Sequence, residues 1–466
     1  MYKEAELKKI FEGKRVMIAG FGREGRSSYK LIRKLFPTSS SGVVLAVADK
    51  NLNVNTDQLL ANDTDLSIFV GDDYLAHSAE YDIILKSPGI PTFDFENIVP
   101  LSKVSSQTDV FLQIYGSQTV AVTGTKGKST TTNLIYSVLK SYKPNTIMAG
   151  NMGLPLFDII DQMSNDTAIV LELSSHQLEN IHRGPYIGIV LNLFQEHLDH
   201  YHSYLDYKMA KLNIALCQSP SDVFIYCVDN DELSLLVAQS DIKSIKLSYS
   251  MHKQVEKGCY CDGYHFRMMP GDNIIYDIYS QRYVKGMHNL SNCMAVFMVG
   301  HCFGIPDSVI AQAIADFKGL EHRLEYVAEK SGITFYNDSI STIPEATIAA
   351  VEALKDVDTL ILGGFDRGID YTKLVHFIDK SNIRNIAFVG EAGSRMHNML
   401  IEADALQGRN YILSNSYCDI VQWCYANTGE GKICLLSPAA SSYDMFKNFE
   451  ERGRVFKDLV LTNGKY

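Results

Sequence analysis

No stretch of this chain approaches the ~20 consecutive apolar residues that a membrane span requires, and Met1 to Lys14 is charged, without the apolar centre of a secretory signal. Tryptophan occurs once and no low-complexity tail is present; with 46% hydrophobic and 21% charged residues the composition is that of an ordinary soluble globular protein. Positive charge is in deficit, the formal net charge being -11. Duplex binding draws on a surplus of Lys and Arg to displace counterions, so this balance argues against a general nucleic-acid binder, though not against anionic small ligands held locally. The nine cysteines are scattered. Their one close pair, Cys259 and Cys261, has no second cluster at metal-ligand spacing, which predicts reduced thiols rather than a zinc site. No repeat of 20 to 50 residues is visible, which excludes solenoids and propellers. The expectation is a cytoplasmic monomer with neither nucleic acid nor membrane as partner.

What is present is an alternation of short apolar runs with longer amphipathic stretches, the pattern of a parallel α/β protein. A chain of 466 residues exceeds one ordinary core. The runs Arg15–Ala19, Val43–Ala48 ending at Asp49, and Ile83–Leu85 define a Rossmann-like domain over 1–115. Thr119–Val122 opens a second α/β unit, with a helix near Ser129 to Lys140 and further strands within Thr167–Leu173 and Tyr186–Leu193. Short Tyr-, Gly- and Asp-rich runs after Tyr249 predict hairpins before a helix near His288, and this central domain spans 116–319. Runs at Thr334–Tyr336, Thr359–Leu362, Asn385–Val389 and Lys432–Leu436, with a helix over Glu345–Leu354, predict a doubly wound C-terminal domain over 320–466.

The strongest local signal is Gly124-Thr125-Lys126-Gly127-Lys128-Ser129-Thr130 between a strand and a helix. Small residues let backbone N–H groups wrap phosphate oxygens, Lys128 can reach the β and γ phosphates, and Ser129 can ligate Mg²⁺. Val122 stands where the strict P-loop has its first glycine, so this is a shortened variant. Gly20-Phe21-Gly22-Arg23-Glu24-Gly25 follows the first strand, with Asp49 ending the next. This licenses a nucleotide or pyrophosphate but does not separate NAD from a UDP-sugar. Glu172 ends an apolar strand, where a magnesium-nucleotide needs an oxygen ligand. His197-Leu198-Asp199 and Lys211 follow.

Together these segments resemble the Mur ligases and folylpolyglutamate synthetases. The strings Leu436 to Gly453, Glu172 to Leu178 and Lys86 to Ile90 resemble the D-glutamate-adding branch most. The resemblance implies three domains and a reaction in which ATP phosphorylates a carboxylate and an amine attacks the acyl phosphate. Its implied substrates are UDP-N-acetylmuramoyl-L-alanine and D-glutamate. It assigns Gly20, Phe21, Gly22, Arg23, Gly25, Asp49, Ser87, Pro88 and Gly89 to the UDP part and Asn151 to the muramoyl group. ATP falls to the Gly124–Thr130 loop with Asn292, Arg323 and Asp338. Two Mg²⁺ ions fall to Ser129, Glu172, His197 and a carbamylated Lys211, with Lys128, His197 and Lys211 as the catalytic groups. Ile340 and Arg367 stand where relatives carry lysines, so D-glutamate is assigned to Arg367 with Thr342, Ser442 and Phe449.

Overall fold

The computed structural model describes residues 3–38, 42–151, 154–196 and 200–464. They form two compact units, Met1–Ser280 with Leu290–Ile314, and Gln281–Asn289 with Ala315–Tyr466. The first unit holds two sheets. One is all-parallel, in the order Leu66–Val70, Val43–Asp49, Lys14–Ala19, Ile83–Lys86, Val104–Ser105. Its central strand reads Val16-Met17-Ile18-Ala19 without alternation because both faces are buried beneath covering segments. The chain leaves this strand toward one edge and returns on its other side, which opens a crevice at its carboxyl end, where Gly20 and Ser87 lie.

The second sheet has nine strands. Seven are parallel, in the order Thr146–Gly150, Ala168–Glu172, Thr119–Thr123, Ile187–Val190, Val223–Cys227, Ile245–Ser250, Gly258–Cys261; His265–Met269 and Asn273–Asp277 then extend it antiparallel. Here too the direction reverses at the first strand of the sheet. Thr119–Thr123 therefore delivers the Gly124 loop into a switch-point crevice between the ends of Ala168–Glu172 and Ile187–Val190.

The second unit carries one sheet, in the order Glu325–Lys330, Ile333–Asn337, Ile433–Leu436, Val357–Gly363, Asn385–Val389, Asn410–Leu413. Only the first pair is antiparallel. Helices Pro344–Leu354, Thr372–Lys380 and Gly390–Glu402 lend residues to one apolar core of this unit, and Tyr417–Asn427 and Phe449–Leu461 to another, as a doubly wound sheet requires. All nine cysteines are free thiols. Among the described residues no helix is long and apolar enough to cross a membrane.

Candidate active site

The phosphate loop is shaped by two glycines in left-handed or near-extended positive-φ conformations, Gly124 at φ 148 and Gly127 at φ 86. A side chain on Gly127 would stand 2.9 Å from Asn292 Oδ1, so the glycine loop and the helix Met287–Cys302 approach closely and Asn292 lies beside that loop. Lys128 begins the helix Lys128–Tyr142, and its ammonium donates to the Gly124 and Thr125 carbonyls at 2.9 and 3.0 Å. Ser129 is buried one residue further into that helix, and Thr130 follows it.

A second cation reaches the same carbonyl. Lys211, 2% exposed on the helix Tyr204–Leu216, donates to Gly124 O at 3.0 Å and lies 4.9 Å above the Tyr207 ring. Burial, reinforced by repulsion from Lys128, pulls its pKa down to about 7, while Glu196 and Glu172 resist the fall. Glu172 ends its strand 3% exposed, and Asn151 Nδ2 donates to its Oε1 at 3.1 Å. Ser129 and Glu172 offer hard oxygen donors of the kind Mg²⁺ takes. His197 and Asp199 lie outside the described residues. Among those described, no group of three or more His, Cys, Asp or Glu is gathered for a metal.

Two residues that the sequence did not single out, Asn192 and Tyr207, hold the loop in shape. Asn192 accepts from Lys126 N at 2.8 Å and donates to Lys126 O at 3.0 Å, and its carbonyl accepts from Thr125 N. Tyr207 Oη lies 2.9 Å from Thr125 Oγ1. The loop is thus laced to the neighbouring strand end, and the Lys126 side chain turns outward to pair with Glu196 at 2.6 Å. Lys126 contributes its backbone to the loop's shape while its charge is engaged elsewhere.

At the first sheet, Gly20 has φ 90, and Ser87 Oγ donates to its carbonyl at 2.9 Å, joining the two turns that end adjacent strands. Asp49 accepts from Phe21 N at 2.6 Å and Asn51 N at 2.7 Å, so its carboxylate shapes the glycine loop. Gly22 caps the helix Arg23–Leu35, and Gly25 packs so tightly that an added Cβ would stand 2.0 Å from Gly20 O. Pro88 and Gly89 continue the Ser87 turn, which closes through Ile90 N to Ser87 O.

In the second unit, Asp338 is 2% exposed, accepting from Ser437 Oγ at 2.7 Å and Leu324 N at 3.1 Å. Burial pushes its carboxyl up to about 6 despite bonds from Ser341 and Ser437 and the charge of Arg323. Arg367 donates to Thr342 O at 2.9 Å, bringing two of the residues assigned to D-glutamate together. The carboxylates beside it in sequence are otherwise engaged. Asp366 pairs with Arg395 at 2.9 Å, and Asp370 accepts from Thr372. Ser442 is buried nearby in sequence to Ser441, which pairs with Phe365, and Phe449 opens its helix with its carbonyl accepting from Ser339 Oγ at 2.8 Å. Sequence reasoning missed Arg452. Its guanidinium, 1% exposed, donates to the Ser339, Ala440 and Ser441 carbonyls at 2.8, 3.0 and 3.2 Å and to Ser339 Oγ, holding two strand-end loops together. Its place in a helix of alternating charge gave no sign that it points inward.

Residues 122–300 match the family model described as the Mur ligase middle domain. Over 97% of its length the chain is 31% identical to the UDP-N-acetylmuramoylalanine--D-glutamate ligase of Lachnoclostridium phytofermentans, covering 98% of that protein. It is 32% identical over 98% of its length to the protein of that name from Ruminiclostridium cellulolyticum, again covering 98% of it. In fold it is similar to the UDP-N-acetylmuramate-alanine ligase of Thermotoga maritima, with a TM-score of 0.55 at 16% identity over 96% of this chain and 99% of that one. Sheet order, phosphate loop and chain-long identity converge on one statement: this chain belongs to the Mur ligase family.

Proposed function

We propose that this chain joins D-glutamate to UDP-N-acetylmuramoyl-L-alanine, driven by conversion of ATP to ADP and phosphate. One observation carries the reading: the relatives with that ligase name match nearly end to end, so the likeness includes the first and third sheets as well as the phosphate loop. The Mur ligase from Thermotoga maritima solved with ADP, at a TM-score of 0.53 and 17% identity, supports the same fold around a nucleotide. We take domains of 1–115, 116–319 and 320–466, acting as a cytoplasmic monomer.

A carboxylate is a poor electrophile. Attack of the alanyl carboxylate oxygen on the γ phosphorus releases ADP and leaves an acyl phosphate; the D-glutamate amine then attacks the acyl carbon, phosphate departs, and the amine sheds its proton. Lys128 leaves the Gly124 and Thr125 carbonyls to meet the transferring phosphoryl group, where its charge counts most. Ser129, Glu172, His197 and Lys211 would hold the two Mg²⁺ ions, which supply charge neutralisation at that phosphoryl group. A pKa near 7 favours carbamylation of Lys211, because only the neutral amine adds to CO₂, losing a proton to give an anion beside the cations. Gly20 to Gly25, Asp49 and Ser87 to Gly89 hold the UDP part and Asn151 the muramoyl group, while Asn292, Arg323 and Asp338 serve ATP. Arg367, free of carboxylate partners among the described residues, grips the incoming D-glutamate with Thr342, Ser442 and Phe449.

The test is phosphate release with each component omitted in turn. Release that requires ATP, Mg²⁺, UDP-N-acetylmuramoyl-L-alanine and D-glutamate together is the expected result. Equal turnover with L-glutamate, or release without the UDP-sugar, would overturn the reading.

A further inference from the structure

Between the two sheets of the first unit lies a buried ionic knot that the reaction as written does not use. Lys86 ends the strand Ile83–Lys86 with its side chain 1% exposed, and its ammonium donates to Ile90 O at 2.6 Å and Glu179 Oε2 at 2.7 Å. Glu179, 7% exposed, takes two more partners: Thr92 Oγ1 donates to Oε2 at 2.6 Å, and His200 Nε2 lies 2.7 Å from Oε1. Its main chain is held as well. Asn213 Nδ2, on the helix that carries Lys211, donates to the Leu178 and Glu179 carbonyls at 3.0 and 3.1 Å. Burial alone would raise the Glu179 carboxyl, but the His200 bond and the Lys86 charge outweigh it and bring it down to about 2.

We infer that Glu179 is a positioning residue, tying the Ser87–Ile90 turn of the first sheet to the Glu172 and Lys211 wall of the second. This rests on the function proposed above. A buried ion pair adds little net stability over a well-packed apolar pair, so its strength lies in fixing one arrangement of the groups it joins. Here those groups are three. Lys86 immediately precedes the turn assigned to the UDP-substrate and grips it from Ile90. Glu179 follows the short helix Ser175–Leu178, which itself follows the strand Ala168–Glu172 that ends in the proposed metal ligand. His200 follows the His197 segment and packs against His176, the rings tilted by 33° with centroids 3.9 Å apart. An acyl carboxylate delivered from the first sheet must meet a phosphoryl group held on the second, and such an encounter is sensitive to displacements of about 1 Å. The knot sets that spacing.

Glu179→Gln keeps the shape and removes the charge. It should raise the KM for UDP-N-acetylmuramoyl-L-alanine and lower kcat, each by at least about tenfold, with the KM for ATP unchanged within about twofold. The double variant Lys86→Met with Glu179→Gln separates positioning from stability. With neither charge left unpaired its melting temperature should return toward that of the wild type, while kcat/KM for the UDP-substrate stays low. Recovery of activity together with stability would mean a merely structural pair and overturn the inference. So would wild-type kinetics in Glu179→Gln. Wild-type protein run in parallel distinguishes the two levels: no ligation there overturns the proposed function and this inference with it, whereas normal ligation there with an unaffected variant overturns the tie alone.

Discussion

Lys211 is a lysine whose burial works against its own charge. Its pKa falls from the ordinary 10.5 to about 7 through burial, with Lys128 adding repulsion. Between those values the unfolded chain holds a proton that the folded chain does not, so stability climbs with pH across about 7 to 10.5, and below 7 the folded state bears the full cost. In CO₂-free buffer the melting temperature should rise from pH 7 to pH 9, and Lys211→Met should flatten that slope and melt higher at pH 6.5. Scanning calorimetry of both proteins checks it, and parallel curves would reject a neutral amine. Lys128→Ala should lower kcat by at least about a hundredfold with UDP-substrate binding intact, the scale of one lost transition-state stabiliser; near-normal turnover would remove the loop from phosphoryl transfer. Arg367→Ala should raise the D-glutamate KM by roughly tenfold to a hundredfold, the worth of a lost charged hydrogen bond, leaving the other two KM values nearly unmoved. Steady-state kinetics with D-glutamate varied decides this, and an unchanged KM would send the search to another cation of the second unit, Lys447 first.

At the scale of elements, the joint between the first strand and the helix Arg23–Leu35 has no slack. Gly25→Ala forces a Cβ to 2.0 Å from the Gly20 carbonyl, so either the helix backs away or the glycine turn opens. A cost of about 1–3 kcal/mol is expected, with weaker UDP-substrate binding and unchanged ATP binding by calorimetry; full-strength UDP-substrate binding would show that the turn is not the site. The same joint explains what could be read in advance. Gly20, Gly22 and Gly25 sit within one turn of chain and Val16 to Ala19 are buried on both faces, so strand, loop and helix announce themselves locally. Edge strands do not. Glu325–Lys330 reads Glu-Tyr-Val-Ala-Glu-Lys, half polar because one edge and much of its surface face water, and Asn410–Leu413 is mostly exposed. The reading therefore passed over both. Distance in sequence hid the rest: Lys86 meets Glu179 across 93 residues and Arg452 meets Ser339 across 113, and neither spacing leaves a periodic trace.

At the scale of the whole molecule, the two compact units divide the proposed labour. The first holds both nucleotide-type glycine turns, Glu172, Lys211 and Asn292; the second holds Arg323, Asp338, Arg367 and Arg452. Every bond described at the Gly20 and Ser87 turns stays within the first unit, as does the knot at Glu179. If the UDP-substrate is recognised there, recognition does not need the second unit, whereas the roles proposed for Arg323, Asp338 and Arg367 would make ligation depend on it. A fragment ending at Ile314 keeps both sheets of the first unit and leaves out Ala315 onward. Helix Met287–Cys302 remains in it, so Asn292 stays beside Gly127, although Gln281–Asn289 loses the unit it packs with. Provided circular dichroism shows the fragment folded, it should bind UDP-N-acetylmuramoyl-L-alanine within about threefold of the full chain, since rigid-body recognition is the default where the site's contacts are all retained. It should release no phosphate with D-glutamate present. Binding weakened by more than tenfold in a folded fragment would place part of the UDP-substrate site in the second unit, and ligation by the fragment would strip Arg323, Asp338 and Arg367 of their proposed roles.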